Sequence, residues 1–146
     1  MMKIRISKEF SFEMAHALDG YDGLCRNIHG HSYVLTVTVS GEPITDTAST
    51  KLGMVMDFGD LKSVVKKVIV DRFDHAFVIR KGTIGHQSNP AFSRMVEVEF
   101  QPTSENLLVY FASLINPLLP QNVSLLSLRL SETATSFAEW HAADNS

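Results

Sequence analysis

A chain of 146 residues, 45% hydrophobic and 20% charged, has the size and composition of a single globular domain spanning 1–146, with enough apolar residues for a real core. A net charge of −3 and the lack of any apolar run of membrane-spanning length argue against nucleic-acid binding and against a membrane protein. One cysteine excludes an intramolecular disulfide, and Met1-Met2-Lys3-Ile4-Arg5 carries no signal-peptide core, so a cytoplasmic protein is expected.

Residues 3–16 predict a first strand. Ile4, Ile6, Phe10, Phe12 and Met14 alternate along it, and His16 is next in that register. Leu18 to Leu24, with two Gly and two Asp, reads as a loop. The β-branched run after His29 predicts a second strand from about His29 to Gly41, in which His29, His31, Tyr33, Leu35, Val37 and Val39 share one face. Glu42 to Gly53 reads as a polar turn region. Asp57 is placed to cap a helix over roughly 58–72, whose stripe is Phe58, Leu61, Val64, Val65, Val68 and Ile69. Asp74-His75 follows it, then a short apolar run.

Gly82 to Ser93 is expected to be a loop, and Met95 to Phe100 a strand. Thr103 is the expected cap of a second helix with the stripe Leu107, Leu108, Phe111, Leu114 and Ile115, ended by Pro117. In the last strand Leu126, Leu128 and Leu130 share a face whose next member is Glu132. The order ββαβαβ implies an α+β fold, an antiparallel sheet with two helices on one face.

Two imidazoles on one face of a strand end can chelate a metal, and His16 converges on them if the first two strands pair antiparallel. Three neutral nitrogens suit Zn²⁺ and leave a fourth position open, the pattern of catalytic zinc. Cys25, four residues before His29, has three readings: an inert thiol, a fourth ligand closing a structural site, or a reactive group. Asp74-His75 can form a local pair only if a turn brings the side chains together.

Cys25-x3-His29-Gly30-His31, Ala15-His16, Met56-Asp57-Phe58, Asp74-His75, Pro102-Thr103-Ser104-Glu105-Asn106 and Ser131-Glu132-Thr133, in this order, resemble the 6-pyruvoyltetrahydropterin synthase/6-carboxytetrahydropterin synthase family. The resemblance spans nearly the whole chain, and the three-residue gap after Cys25 is most similar to the carboxy-forming, queuosine-pathway branch. It implies the T-fold (tunnelling fold), with subunits joining into a barrel as a homo-oligomer, most simply a hexamer of two stacked trimers with sites at subunit boundaries. It also implies a zinc lyase acting on 7,8-dihydroneopterin triphosphate. The resemblance places zinc on His16, His29 and His31, makes Cys25 the general base with Asp74 and His75 as its relay, and makes Glu132 the pterin anchor with Glu105 and Thr103 near the ring.

Those roles suit the residue types. A thiol has an ordinary pKa of about 8.5 that nearby positive charge lowers, and a carboxylate can accept paired N–H bonds from an aminopyrimidine edge. Pyruvoyl-forming or side-chain-cleaving chemistry on the same substrate, and a non-enzymatic zinc- or pterin-binding oligomer, are the alternatives. Ile79 to Glu99 is longer than expected for the carboxy-forming branch, and Gly82 to Ser93 is expected to reshape the substrate mouth.

Overall fold

A computed structural model describes residues 2–146. Six strands form one sheet in the order β4-β3-β1-β2-β5-β6: β1 is Ile4–His16, β2 His29–Gly41, β3 Ala76–Arg80, β4 Met95–Val98, β5 Val123–Ser131 and β6 Phe137–His141. Its frame is the β1–β2 hairpin, thirteen residues on each strand, which sets Phe12 opposite Tyr33 and His16 opposite His29. Strands β1, β2, β5 and β6 are antiparallel throughout. The sheet as a whole is mixed, because a helical crossover after β2 returns the chain so that β3 runs parallel to β1, and β4 runs parallel to β3.

Strands β3 and β6 were not expected. The five residues of β3 follow the helix after a two-residue turn, Asp74-His75, that carries no Gly or Pro, and β6 carries only Ala138 and Trp140 toward the core. In β5 the predicted row is corrected by one residue. A bulge opposite Thr38 and Val39 turns Leu126 away, so that Leu125, Leu128 and Leu130 are the buried members.

Asp57 caps α1 (Phe58–Val65) by accepting from the Gly59 amide at 2.6 Å. The helix runs on through a π-helical turn, Lys66–Val70, into α2 (Asp71–Phe73). Leu61, Val65, Ile69 and Phe73, spaced by four, are all fully buried. On an ideal α-helix such a row drifts by about 40° per step, and the wider π turn absorbs that drift and keeps Phe73 under the sheet. Phe58, expected in the stripe, is instead exposed at the first turn.

Thr103 caps α3 (Ser104–Ile115), accepting from the Asn106 amide at 3.2 Å. Leu107, Phe111 and Ile115 pack with the α1–α2 row against Phe12, Leu35 and Leu128. Each such side chain contributes about 2–3 kcal/mol of burial. Both helical segments therefore cover one face of the sheet. On the other face Ser7, Thr36, Thr38, Ser127 and Arg129 are left uncovered by any helix, as the alternation of side chains along β1, β2 and β5 requires.

Candidate metal centre

Strand period and hairpin register build this site. His16 ends the buried row of β1, and His29 and His31 begin that of β2, so the antiparallel pairing brings three imidazoles together at the covered side of the sheet. One nitrogen from each lies within 4.8 Å of the other two. Two backbone carbonyls assign the tautomers: His16 Nδ1–H donates to Pro102 O and His29 Nδ1–H to Asn27 O, each at 2.7 Å. Both Nε2 atoms are then lone-pair donors, yet they face each other at 2.9 Å. His31 Nε2 is buried with no hydrogen-bond partner.

A cation shared between the rings would satisfy this arrangement. A metal fits: three neutral imidazoles, two oriented by carbonyls, form the donor set that zinc takes. Burial pushes the His16 imidazole below its ordinary pKa of 6.5, against the opposing pull of the Pro102 carbonyl, which keeps the ring in the neutral, ligating form.

Glu132, just past β5, stands beside this cluster. Its Oε1 lies 3.5 Å from His31 Nε2 and 3.7 Å from His16 Nε2. Tyr33 and Ser104 direct their hydroxyls at the same oxygen, each at 3.5 Å. Burial, with that carboxylate alongside, pushes the Tyr33 phenol far above its ordinary range. Glu132 and Glu105 line a cavity of about 320 Å³ with Ser104, Ser136 and Phe137. Thr103 spends its hydroxyl on the helix cap, one residue from the carbonyl that orients His16.

Cys25 lies in the 3-10 turn Leu24–Arg26 of the loop between β1 and β2. It is exposed and outside the ligand cluster, so the closed Cys-His₃ arrangement is not the one formed here. Asp74 and His75 do meet. His75 adopts a left-handed φ of +62°, which folds its Nδ1 back to 3.1 Å from Asp74 Oδ1. The Glu13 amide donates to the same carboxyl at 2.9 Å, and the His75 amide donates to Glu13 O at 2.6 Å, so β1 clamps the turn.

The pair opens on the other side of the sheet. His75 borders a cavity of about 530 Å³ lined by Glu13, Ala15, Gly30, Ser32 and Phe92. Those strand residues alternate with His16, His29 and His31, whose side chains point to the other face, although His31 also borders this cavity. The Gly82–Ser93 loop contributes Ala91 and Phe92 to this cavity, and Arg94 just after it donates to the carbonyls of Asp71 and Asp74. The participation of Tyr33, Ser104 and the Pro102 carbonyl was not anticipated. For Tyr33 the signal was present in its spacing, two residues beyond His31 on the same face.

An α+β subunit with three histidines closing a long hairpin is a T-fold architecture, and solved structures agree. A protein from Wolinella succinogenes matches with a TM-score of 0.79 at 21% identity, over 97% of this chain and 99% of that one. The 6-pyruvoyl tetrahydropterin synthase of Plasmodium falciparum matches at 0.72 and 22%, over 95% and 97%. At the sequence level the model for the family 6-pyruvoyl tetrahydropterin synthase matches residues 5–143, and the chain belongs to that family. Among curated relatives, the 6-carboxy-5,6,7,8-tetrahydropterin synthase of Haemophilus influenzae is 44% identical over 141 residues, 93% of this chain and 97% of its own. The protein of the same name from Rickettsia typhi is 35% identical, over 93% and 99%.

Proposed function

We propose that the chain is a zinc-dependent 6-carboxy-5,6,7,8-tetrahydropterin synthase formed by one T-fold domain over 1–146, a lyase that converts 7,8-dihydroneopterin triphosphate to the 6-carboxy product. Acetaldehyde and triphosphate are released, and the product feeds queuosine-type biosynthesis. The observation that carries this reading is the cluster of His16, His29 and His31, with lone pairs turned on one point and Glu132 alongside. The 44% identity to a relative of that name over nearly both full lengths supports the carboxy-forming branch.

His16, His29 and His31 hold the metal, which when bound supplies Lewis acidity toward substrate hydroxyls. Glu132 accepts N–H bonds from the aminopyrimidine edge and so orients the ring, with Glu105 bordering the same cavity and Thr103 fixing the helix end beneath it. Cys25 removes a side-chain proton, and His75, held by Asp74, relays it. Because the Asp74–His75 pair and the imidazoles occupy opposite faces of one sheet, a complete site takes its relay from another copy, in a homo-oligomer of the barrel type.

A product assay on zinc-loaded protein tests this, with 7,8-dihydroneopterin triphosphate as substrate, mass spectrometry of the pterin and trapping of acetaldehyde. Carboxytetrahydropterin with acetaldehyde is expected. A pyruvoyl pterin, or a cleaved side chain without the carboxylate, would refute the branch while leaving the site chemistry.

A further inference from the structure

Tyr33 is fully buried, and its ring has a clear packing role. It stacks on Phe12 with centroids 5.5 Å apart and planes 11° from parallel, and meets His31 edge-on at 5.5 Å and His16 at 6.3 Å. Phenylalanine would fill the same space. The hydroxyl is what needs explaining, since a buried phenol O–H without an acceptor is costly. Its hydrogen-bond partner is Glu132 Oε1 at 3.5 Å, ninety-nine residues away in sequence.

Ser104, nearly buried at the start of α3, sends its hydroxyl to the same oxygen at the same distance. Two donors from different elements thus converge on one side of a carboxylate that is itself 29% exposed and borders the 320 Å³ cavity. Oε2 makes no hydrogen bond among the described residues. A carboxylate has about four acceptor sites, so fixing Oε1 sets the plane of the group and leaves Oε2 to a ligand.

We propose that Tyr33 is a positioning residue for ring binding: its hydroxyl holds Glu132 by Oε1 beside the histidine cluster and presents the other oxygen to N–H donors of a flat heterocycle in the adjoining cavity. This rests on Glu132 being the ring anchor. The proposal concerns the hydroxyl alone, and the aromatic ring supplies packing that Phe retains.

The experiment uses zinc-loaded protein and neopterin, a pterin without the triphosphate, titrated by fluorescence against wild type, Tyr33→Phe, Glu132→Gln and the double variant. Tyr33→Phe is expected to weaken neopterin binding about three- to tenfold, the range for losing one orienting hydrogen bond. It should raise KM by a similar factor with kcat unchanged, and retain zinc by elemental analysis. Glu132→Gln is expected to weaken binding at least about tenfold through loss of the charged acceptor, with no further loss on adding Tyr33→Phe.

Wild-type affinity in Tyr33→Phe would overturn the proposal, as would zinc loss in that variant or an additive effect in the double variant. Each of these leaves Glu132 as the anchor. Unchanged neopterin affinity in Glu132→Gln would instead remove the anchor, and the proposal with it.

Discussion

His75 is the residue at which local conformation and chemistry coincide. Among the described non-glycine residues it has the one positive φ, a conformation that costs a residue with a Cβ about 1–3 kcal/mol unless its surroundings impose it. They do so here through two hydrogen bonds to Glu13, one from the His75 amide and one to the Asp74 carboxylate. The Glu13 amide, joined by His75, holds the Asp74 carboxyl below its ordinary value of 3.8. A carboxyl depressed in the folded state stabilises the fold above its unfolded pKa, and that contribution disappears as pH falls through the lower folded value. Asp74→Asn should therefore melt below wild type by a constant margin above about pH 5, with the margin closing below 3.8. Thermal melts across that range check it, and a margin that widened on acidification would reverse the sign and remove the Asp74 carboxylate from the account.

At the scale of the element, α3 links the core to the site. Its cap, Thr103, adjoins Pro102, whose carbonyl orients His16, and Ser104 reaches Glu132 from the first turn. Thr103→Ala is expected to cost about 1 kcal/mol, or about 2–4 °C in Tm, with Thr103→Ser restoring most of it. Calorimetry on both variants checks this, and equal losses in the two would mean that the methyl group rather than the oxygen matters. This helix was legible in the sequence because the Thr cap, the apolar stripe and Pro117 agree on its limits. The β1–β2 hairpin was legible for a similar reason, since period-2 alternation ends on histidines in both strands and fixes which imidazoles meet. Strands β3 and β6 were not: β3 is placed by its pairing with β1, remote in sequence, and β6, although the hairpin partner of β5, turns only Ala138 and Trp140 to the core. The bulge at Leu126 and the left-handed turn at His75 escaped for the same reason, one imposed by the neighbouring strand and the other by Glu13.

The whole molecule is shaped by an incomplete edge. Strand β3 pairs with β1 only at Met14–His16 and the Asp74-His75 turn holds Glu13, so Ile4 to Phe12 lack a neighbouring strand on that side, while β6 closes the other end of the sheet with an open edge of its own. Unpaired edges of this length are normally covered or paired. The strand directions allow a second copy to do it. With β1, β2, β5 and β6 alternating, β6 runs antiparallel to β1, so β6 of one copy laid on β1 of the next continues the pattern and can close a ring. The proposed site has two halves, the histidine cluster and the Asp74–His75 pair. Two variants separate these halves: His31→Ala disables the cluster, and His75→Ala the relay. Each alone should be inactive. Co-unfolded and refolded in equal amounts, they should recover activity approaching about a quarter of wild type, since random mixing gives one boundary in four an intact cluster facing an intact relay. Recovery after mixed refolding, and none after mixing preformed proteins, would place the two halves on different copies; no recovery from oligomers shown by mass spectrometry to be mixed would return both halves to one chain.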